Sequence, residues 1–174
     1  LLNIINEILE LSKIEAGKLD INIEKIDLFE LAEQAIDVIQ FKAQKKGLEI
    51  LFNVSPSLPR FIWADSVRLR QILINLLMNS VKFTEQGEVE LKIDILKQNM
   101  ETKEAEILFS VRDTGIGIAK ENHHKIFDSF SQADSSTTRK YGGTGLGLTI
   151  SNRLLALMNS SLNLESELGK GSSF

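Results

Sequence analysis

Cysteine is absent from the 174 residues, which removes disulfide frameworks, thiolate zinc sites and cysteine nucleophiles together and fits a reducing, cytoplasmic setting. Basic excess is absent too: 20 Lys and Arg stand against 24 Asp and Glu, a formal charge of −4. No field exists to gather a nucleic-acid backbone, so a nucleic-acid partner is not expected and any phosphate binding must be local. No apolar run approaches the ~20 residues of a membrane-spanning helix, and the start lacks a basic segment with a cleavage site. An anchor, if the whole protein has one, is expected elsewhere. Internal repeats and low-complexity tracts are missing as well. With 43% hydrophobic residues the chain can bury one good core, and two separate globular domains would be a squeeze. It begins inside an apolar-periodic pattern without a cap and stops at Gly171-Ser172-Ser173-Phe174, where a strand should be running. Both ends read as cuts.

Leu1, Ile4, Ile8 and Leu11 step by three and four, the stripe of a helix meeting another helix, with Gly17 as a stop. Leu19, Ile21 and Ile23 alternate with polar residues as a half-buried strand; Asp27 and Glu30 offer a capping box for a helix ending near Gly47. Residues 48–54 read as a strand. Pro56 and Pro59 then break the chain, and Asp65 or Ser66 can cap a helix with Val67, Ile72, Leu73, Leu76, Leu77 and Val81 on its buried side. Two alternating strands, around 89–95 and 107–111, flank a polar, mobile connection over 97–103. A short helix carrying Ile126, Phe127 and Phe130 leads into a polar stretch over 131–141 that reads as a flexible lid. Helical periodicity restarts at Thr144 and runs to Met158. Leu162 and Leu164 begin a strand that turns at Gly169 and Gly171. The expected fold is α+β, a mixed sheet covered by helices on one face, with an N-terminal helical segment.

Three groups of residues carry chemistry. Asn75, Asn79 and Lys82 fall at i, i+4 and i+7 of the helix and project from one face. An amide oxygen at Asn79 suits a hard cation, and Lys82 offers a point charge to a phosphate; magnesium bridging phosphates is the natural occupant. In Asp113-Thr114-Gly115-Ile116-Gly117, a buried carboxylate can accept a hydrogen bond from an exocyclic amine while the glycines let backbone approach a flat base. Gly143-Thr144-Gly145-Leu146-Gly147-Leu148 opens a helix whose free N–H groups and dipole can hold phosphates. It lacks the Lys-Ser or Lys-Thr of a P-loop, and its glycine spacing misses the dinucleotide fingerprint. Each motif has a bland alternative: a tight turn, a flexible loop, a solvated helix face.

Together the motifs are specific. Asn75-Leu-Leu-Met-Asn79-Ser-Val-Lys82-Phe83 resembles the N box of sensor histidine kinases, Asp113 with Gly115, Ile116 and Gly117 the G1 box, Ile126-Phe127-Asp128-Ser129-Phe130 the F box, and the run from Gly143 to Leu148 the G2 box. Leu9-Glu-Leu-Ser-Lys-Ile-Glu-Ala-Gly-Lys18 resembles the end of the second helix of the dimerisation and phosphotransfer domain, giving 1–18 to that helix and 19–174 to a catalytic domain truncated in its last strand. The resemblance implies a Bergerat-type two-layer α/β sandwich in which Asp113 binds adenine, Asn79 binds Mg2+ with Asn75 as a minor ligand, Lys82 and the 143–147 backbone hold phosphates, and the lid closes over ATP. Phe83 and Phe130 border that pocket by the same analogy. Gyrase-like and chaperone relatives of the pattern place a glutamate where Asn75 stands, and an amide cannot act as that base, so transfer to a histidine rather than hydrolysis is the expected chemistry.

The phosphoacceptor histidine is not in this stretch, so no catalytic residue is assigned. The implied partners are a phosphoacceptor histidine domain of the same protein, a response regulator or receiver domain, and a second copy in a homodimer. Arg139 and Lys140 in the lid could neutralise phosphate on closure. The lid sequence is most like hybrid kinases. His123 and His124 read as surface or packing histidines, and Trp63 beside Phe61 as a core or interdomain anchor. Phe127 and Phe130 are expected to anchor the start of the lid. Two other readings stay open: a nucleotide-sensing docking module without catalysis, and a gyrase-like ATPase.

Overall fold

The computed structural model describes residues 2–130 and 144–174. Helix α1 (Leu2–Glu15) ends two residues before Gly17, which takes a left-handed φ of 64°. Strand β1 (Glu24–Asp27) runs into helix α2 (Leu28–Lys46), whose N-cap Asp27 accepts from the N–H groups of Phe29 and Glu30. Glu30 does not complete a reciprocal box; its carboxylate accepts from Gln34 instead. Gly47 closes α2 at φ 69°, donating to Ala43 and Gln44, the left-handed cap that glycine supplies without a Cβ clash.

Strands β2 (Glu49–Val54) and β3 (Phe61–Ala64) precede helix α3 (Ser66–Phe83), capped by the Asp65 carboxylate on the N–H of Arg68. Strands β4 (Glu88–Asn99) and β5 (Glu104–Asp113) form one long hairpin. Helix α4 (Gly147–Leu157) and the short strands β6 (Glu165–Glu167) and β7 (Gly171–Ser173) complete the described chain.

The main sheet has the order β2-β4-β5-β7-β6, parallel between β2 and β4 and antiparallel elsewhere. The parallel pair follows from the crossover through β3 and α3, since a tight turn can join only antiparallel neighbours. Val89, Leu91 and Ile93 alternate toward the helices and are fully buried with Leu28, Ile39, Leu73, Leu77 and Leu154. Glu90 lies on the other face, half-buried, where it meets Arg112 across the ladder at 2.8 Å. The expected mixed sheet with helices on one face is what forms. Among the described residues no helix is long and apolar enough to cross a membrane.

Several expectations need correction. Residues 19–23 form no strand: Leu19 is half-buried against the core and Ile21 is half-buried, neither with a ladder partner, and pairing starts at Glu24, opposite Ala64. The partner strand, β3, was not foreseen. Val67 is exposed rather than buried, lying in the first turn of α3 ahead of the buried stripe, which starts at Leu69. Trp63 is 72% exposed on the outer side of the β1–β3 ribbon, which rules out a core role. The polar connection is shorter than expected, because β4 runs on to Asn99 and Asn99 itself closes the turn by accepting from the N–H groups of Glu101 and Thr102. The short helix expected after Ile118 is two separate 3-10 turns, Lys120–Asn122 and Lys125–Phe127, with Ile126 buried. Phe130 is 63% exposed at φ 62° and so packs poorly as an anchor. The helix expected from Thr144 begins at Gly147.

Candidate functional site

Asp113 is the last residue of β5, the middle strand of the sheet, held between Val89 of β4 and Ser172 of β7. Its carboxylate is only 6% exposed and faces the end of α3, where Oδ2 accepts from the Ser80 hydroxyl at 3.1 Å. Oδ1 accepts from the N–H of Gly115 at 2.9 Å. Burial pushes the Asp113 carboxyl above its ordinary value, and the Gly115, Ser80 and Ser172 hydrogen bonds, with the charge of Arg112, pull against that rise. A carboxylate has about four acceptor positions, so these leave capacity for a further donor.

The glycines beside it are required by close approach. A Cβ on Gly115 would stand 2.6 Å from the Phe83 carbonyl oxygen and 2.9 Å from both Asp113 Oδ1 and Thr84 Oγ1. A Cβ on Gly117, at φ 67°, would stand 2.0 Å from the carbonyl oxygen of Glu167. The loop is therefore pressed between the end of α3 and the β6–β7 turn. Ile116 is exposed between them, its N–H donating to Phe83 and its carbonyl accepting from Gly169.

On α3, Asn75, Asn79 and Lys82 are all half-buried on one face, as their spacing requires. The Asn75 amide N–H donates to Ser151 of α4 at 2.9 Å, and a Cβ on Gly147 would lie 2.3 Å from its Oδ1. The first and last motifs thus touch directly. The Asn79 side chain makes no hydrogen bond among the described residues. Burial lowers the pKa of Lys82, whose ammonium sits 4.6 Å from the centre of the Phe83 ring.

At the start of α4, Leu146 is fully buried and its side chain makes no capping hydrogen bond, and a helix start presents first-turn N–H groups that lack intrahelical partners. Thr144 accepts from the Leu146 N–H and donates to Glu7 of α1 at 2.6 Å. Gly145 takes a φ of 72°, and Leu148 is half-buried against the core. Thr149 ties α4 to the Phe127 carbonyl. Helix α1 is held further along by Glu10, which accepts from Arg68 and Gln71 at 2.6 Å each.

Contacts thus tie Asp113, Gly115 and Ile116 to Ser80 and Phe83 at the end of α3, and Asn75 to Gly147 and Ser151 of α4, while Asn79 and Lys82 share the face of α3 that carries Asn75. Phe130 belongs to the sequence motif and is exposed. Arg139, Lys140 and Gly143, with the lid expected over 131–141, lie outside the described residues. Ser80, Thr84 and Ser151 were missed. Ser80 and Thr84 had a signal: both are polar residues on a stripe that is otherwise apolar, which demands partners.

The donor set fits a magnesium nucleotide. A buried carboxylate with spare acceptor positions, glycines that leave no room for a Cβ, an unengaged half-buried amide and an uncapped helix start answer to a base, its ring plane, a cation and a phosphate in turn. Among the described residues there is no cluster of three His, Cys, Asp or Glu that could hold a metal ion.

Residues 64–174 match the family described as histidine kinase-, DNA gyrase B-, and HSP90-like ATPase. Over its whole length the chain is 47% identical to hybrid signal transduction histidine kinase L of Dictyostelium discoideum, covering 10% of that protein. It is 36% identical, again over its whole length, to the signal transduction histidine-protein kinase BarA of Escherichia coli K12, covering 19% of it. The crystal structure of full-length ShkA in complex with AMPPNP superposes at a TM-score of 0.86 with 36% identity, covering 99% of this chain and 34% of ShkA. The chain spans a fifth or less of the curated relatives named here.

Proposed function

The chain belongs to the histidine kinase-, DNA gyrase B- and HSP90-like ATPase family, on its histidine kinase side, and from that premise we propose that it is the part of a hybrid kinase that binds magnesium-ATP and donates the γ-phosphoryl group. The acceptor is a histidine on the dimerisation and phosphotransfer domain of the same protein. The observation that carries the reading is Asp113, a buried carboxylate at the end of the central strand with Gly115 packed against it.

Asp113 would accept from the exocyclic amine of adenine, with the backbone of Gly115, Ile116 and Gly117 along the ring. Asn79 would take one coordination position of magnesium, which when bound neutralises phosphate charge and leaves most of its other positions to phosphate oxygens and water. Lys82 and the N–H groups at the start of α4 would hold the phosphate chain, with Arg139 and Lys140 adding charge from the lid. Asn75 orients the start of α4 through Ser151 and adds a weak ligand at most. The chain then positions the γ-phosphorus for in-line attack by an imidazole nitrogen supplied from outside the domain: the N–P bond forms as the bond to the bridging oxygen breaks, and ADP leaves.

Residues 1–18 are assigned to the end of the dimerisation helix. Supporting this, Leu11 and Ile14 pack on the catalytic domain while Ile4, Ile5, Ile8 and Leu9 are exposed, an apolar face suited to the remaining helices of a homodimeric bundle. Receiver domains of the same protein are the onward phosphate acceptors, and the chain acts on the cytoplasmic side of any membrane that the whole protein meets.

Calorimetric titration of magnesium-ATP into the wild type and Asn79→Ala, with circular dichroism as a control for folding, tests the pocket. Binding that Asn79→Ala weakens supports it; no wild-type binding returns the chain to the docking-module reading. Adding a separate histidine-bearing helical domain and labelled ATP then tests transfer. Label should appear on that domain and not on His123 or His124, one of which is bound to the Ile118 carbonyl at 3.1 Å and the other exposed outside any helical bundle.

A further inference from the structure

We propose that Lys46, the last residue of α2, is a positioning residue for nucleotide binding. It lies outside every motif described above, yet its ammonium donates to the carbonyls of Val81 at 2.6 Å, Lys82 at 2.9 Å and Thr84 at 2.9 Å. An ammonium has three protons, and all three are used on one turn of backbone. That turn is the C-terminal end of α3, where helix carbonyls lack intrahelical partners and the dipole favours a cation.

What the turn carries makes the clamp functional as well as structural. Its Phe83 carbonyl receives the Ile116 N–H at 3.2 Å and sets the clearance over Gly115. Thr84 Oγ1 bounds Gly115 from another side and donates to the Ser80 carbonyl at 2.7 Å, while the Ser80 hydroxyl donates to Asp113. Without Lys46 the end of α3 is free to fray, and the wall against which the Asp113–Gly117 loop is set moves with it. A shift of a few tenths of an ångström suffices, because the Phe83 carbonyl and Thr84 hydroxyl already leave no slack at Gly115.

The inference rests on the nucleotide reading of the site, and the test separates the two. Wild type, Lys46→Met and, as a charge control, Lys45→Met in the same helical turn are titrated with magnesium-ATP and with adenosine, at a temperature where circular dichroism shows each fully folded. Lys46→Met should raise the Kd about three- to tenfold for both ligands, the range of a cation at a helix C-terminus, with Lys45→Met near wild type. The amide resonances of Gly115 and Ile116 in the unliganded protein should move in Lys46→Met. A mere cap would lower the melting temperature and leave the Kd of the folded molecules unchanged; that result overturns the assignment. So does a loss seen with ATP but not adenosine, which is plain charge attraction to phosphate. Should Lys46→Met not fold, Lys46→Gln is measured by the same criteria. Wild type that binds neither ligand overturns the nucleotide reading and this inference together.

Discussion

Replacing Asp113 by Asn should move nucleotide affinity and stability in opposite directions. The side chain keeps its shape, and its amide can still satisfy both neighbours: the oxygen accepts from Gly115, and the NH2 donates to a Ser80 hydroxyl that turns to accept. What is lost is the charge, and with it the acceptor oxygen that faces Ser80. A charge-assisted hydrogen bond contributes ~1.5–3 kcal/mol, so ATP affinity should fall by about one to two orders of magnitude, and Asp113→Ala should fall as far. Stability behaves differently because burial raises the Asp113 pKa, which means that folding disfavours its ionised form. The wild type carries that penalty in full above the folded-state pKa and none below the unfolded value of 3.8, so its stability falls as pH rises through the window between them. Asp113→Asn lacks this slope and should match or exceed the wild type at neutral pH. Adenine binding favours the carboxylate, so adenosine affinity should climb with pH up to the folded-state pKa in the wild type, a rise that the variant lacks. Calorimetry with adenosine, which has no phosphate to titrate, and urea unfolding across the acidic range provide the readouts. An Asp113→Asn protein that binds ATP as tightly as the wild type would falsify the placement of Asp113 in the pocket.

Three further substitutions probe other parts. Gly115→Ala places a methyl within 3 Å of three oxygens, so overpacking of ~1–3 kcal/mol should lower the melting temperature by about 2–10 °C and weaken ATP as well; a melting curve like that of the wild type refutes the packing argument. Lys82→Met should cost about ten- to a hundredfold in ATP affinity and nothing for adenosine. Because burial already lowers the Lys82 pKa from 10.5, wild-type affinity for ATP should decline as pH rises through its free-state value, and a pH profile shared by Lys82→Met would remove Lys82 from the phosphates. Glu10→Ala breaks two half-buried contacts to Arg68 and Gln71 and should destabilise the docking of α1 by ~1–2 kcal/mol; unchanged hydrogen exchange along α1 would show that apolar packing alone holds that helix.

The sequence made the helices and the site most legible where one residue type had one job. Helix α3 announced itself through the stripe Ile72, Leu73, Leu76, Leu77 and Val81 behind a cap at Asp65 or Ser66, with only Val67 misplaced, and that same periodicity put Asn75, Asn79 and Lys82 on one face. The loop at Asp113 was legible only in company, since an Asp with two glycines after a strand can be a plain tight turn, and the structure supplies the reason for the glycines in the atoms a Cβ would strike. The misreading at 19–23 has a physical cause as well. Alternation reports that side chains face two environments, not that a ladder partner exists, and the true partner β3 is four residues long behind Pro59, too short to show a period. Lys46 was illegible for a different reason: its partners are backbone carbonyls 35 to 38 residues away, and a main-chain acceptor leaves no mark in the sequence.

Asn75 shows how one side chain can settle both architecture and chemistry. Its amide nitrogen engages Ser151, and its oxygen fills the space that a Cβ on Gly147 would need, so the residue locks α3 to the start of α4. The Asn75 amide donates to the Ser151 hydroxyl, whereas an ionised carboxylate only accepts, so a glutamate at 75 could hold Ser151 only with its hydroxyl turned to donate, and would place a negative charge beside the helix start proposed for phosphate. An amide at 75 cannot take a proton from water, and its contacts with Ser151 and Gly147 hold α3 against α4. Steady phosphate release from magnesium-ATP should accordingly stay near the uncatalysed background in this chain, measurable by a coupled phosphate assay. Release that persists in Asn79→Ala would point to a contaminating ATPase; release that vanishes with it would refute the transfer-only reading.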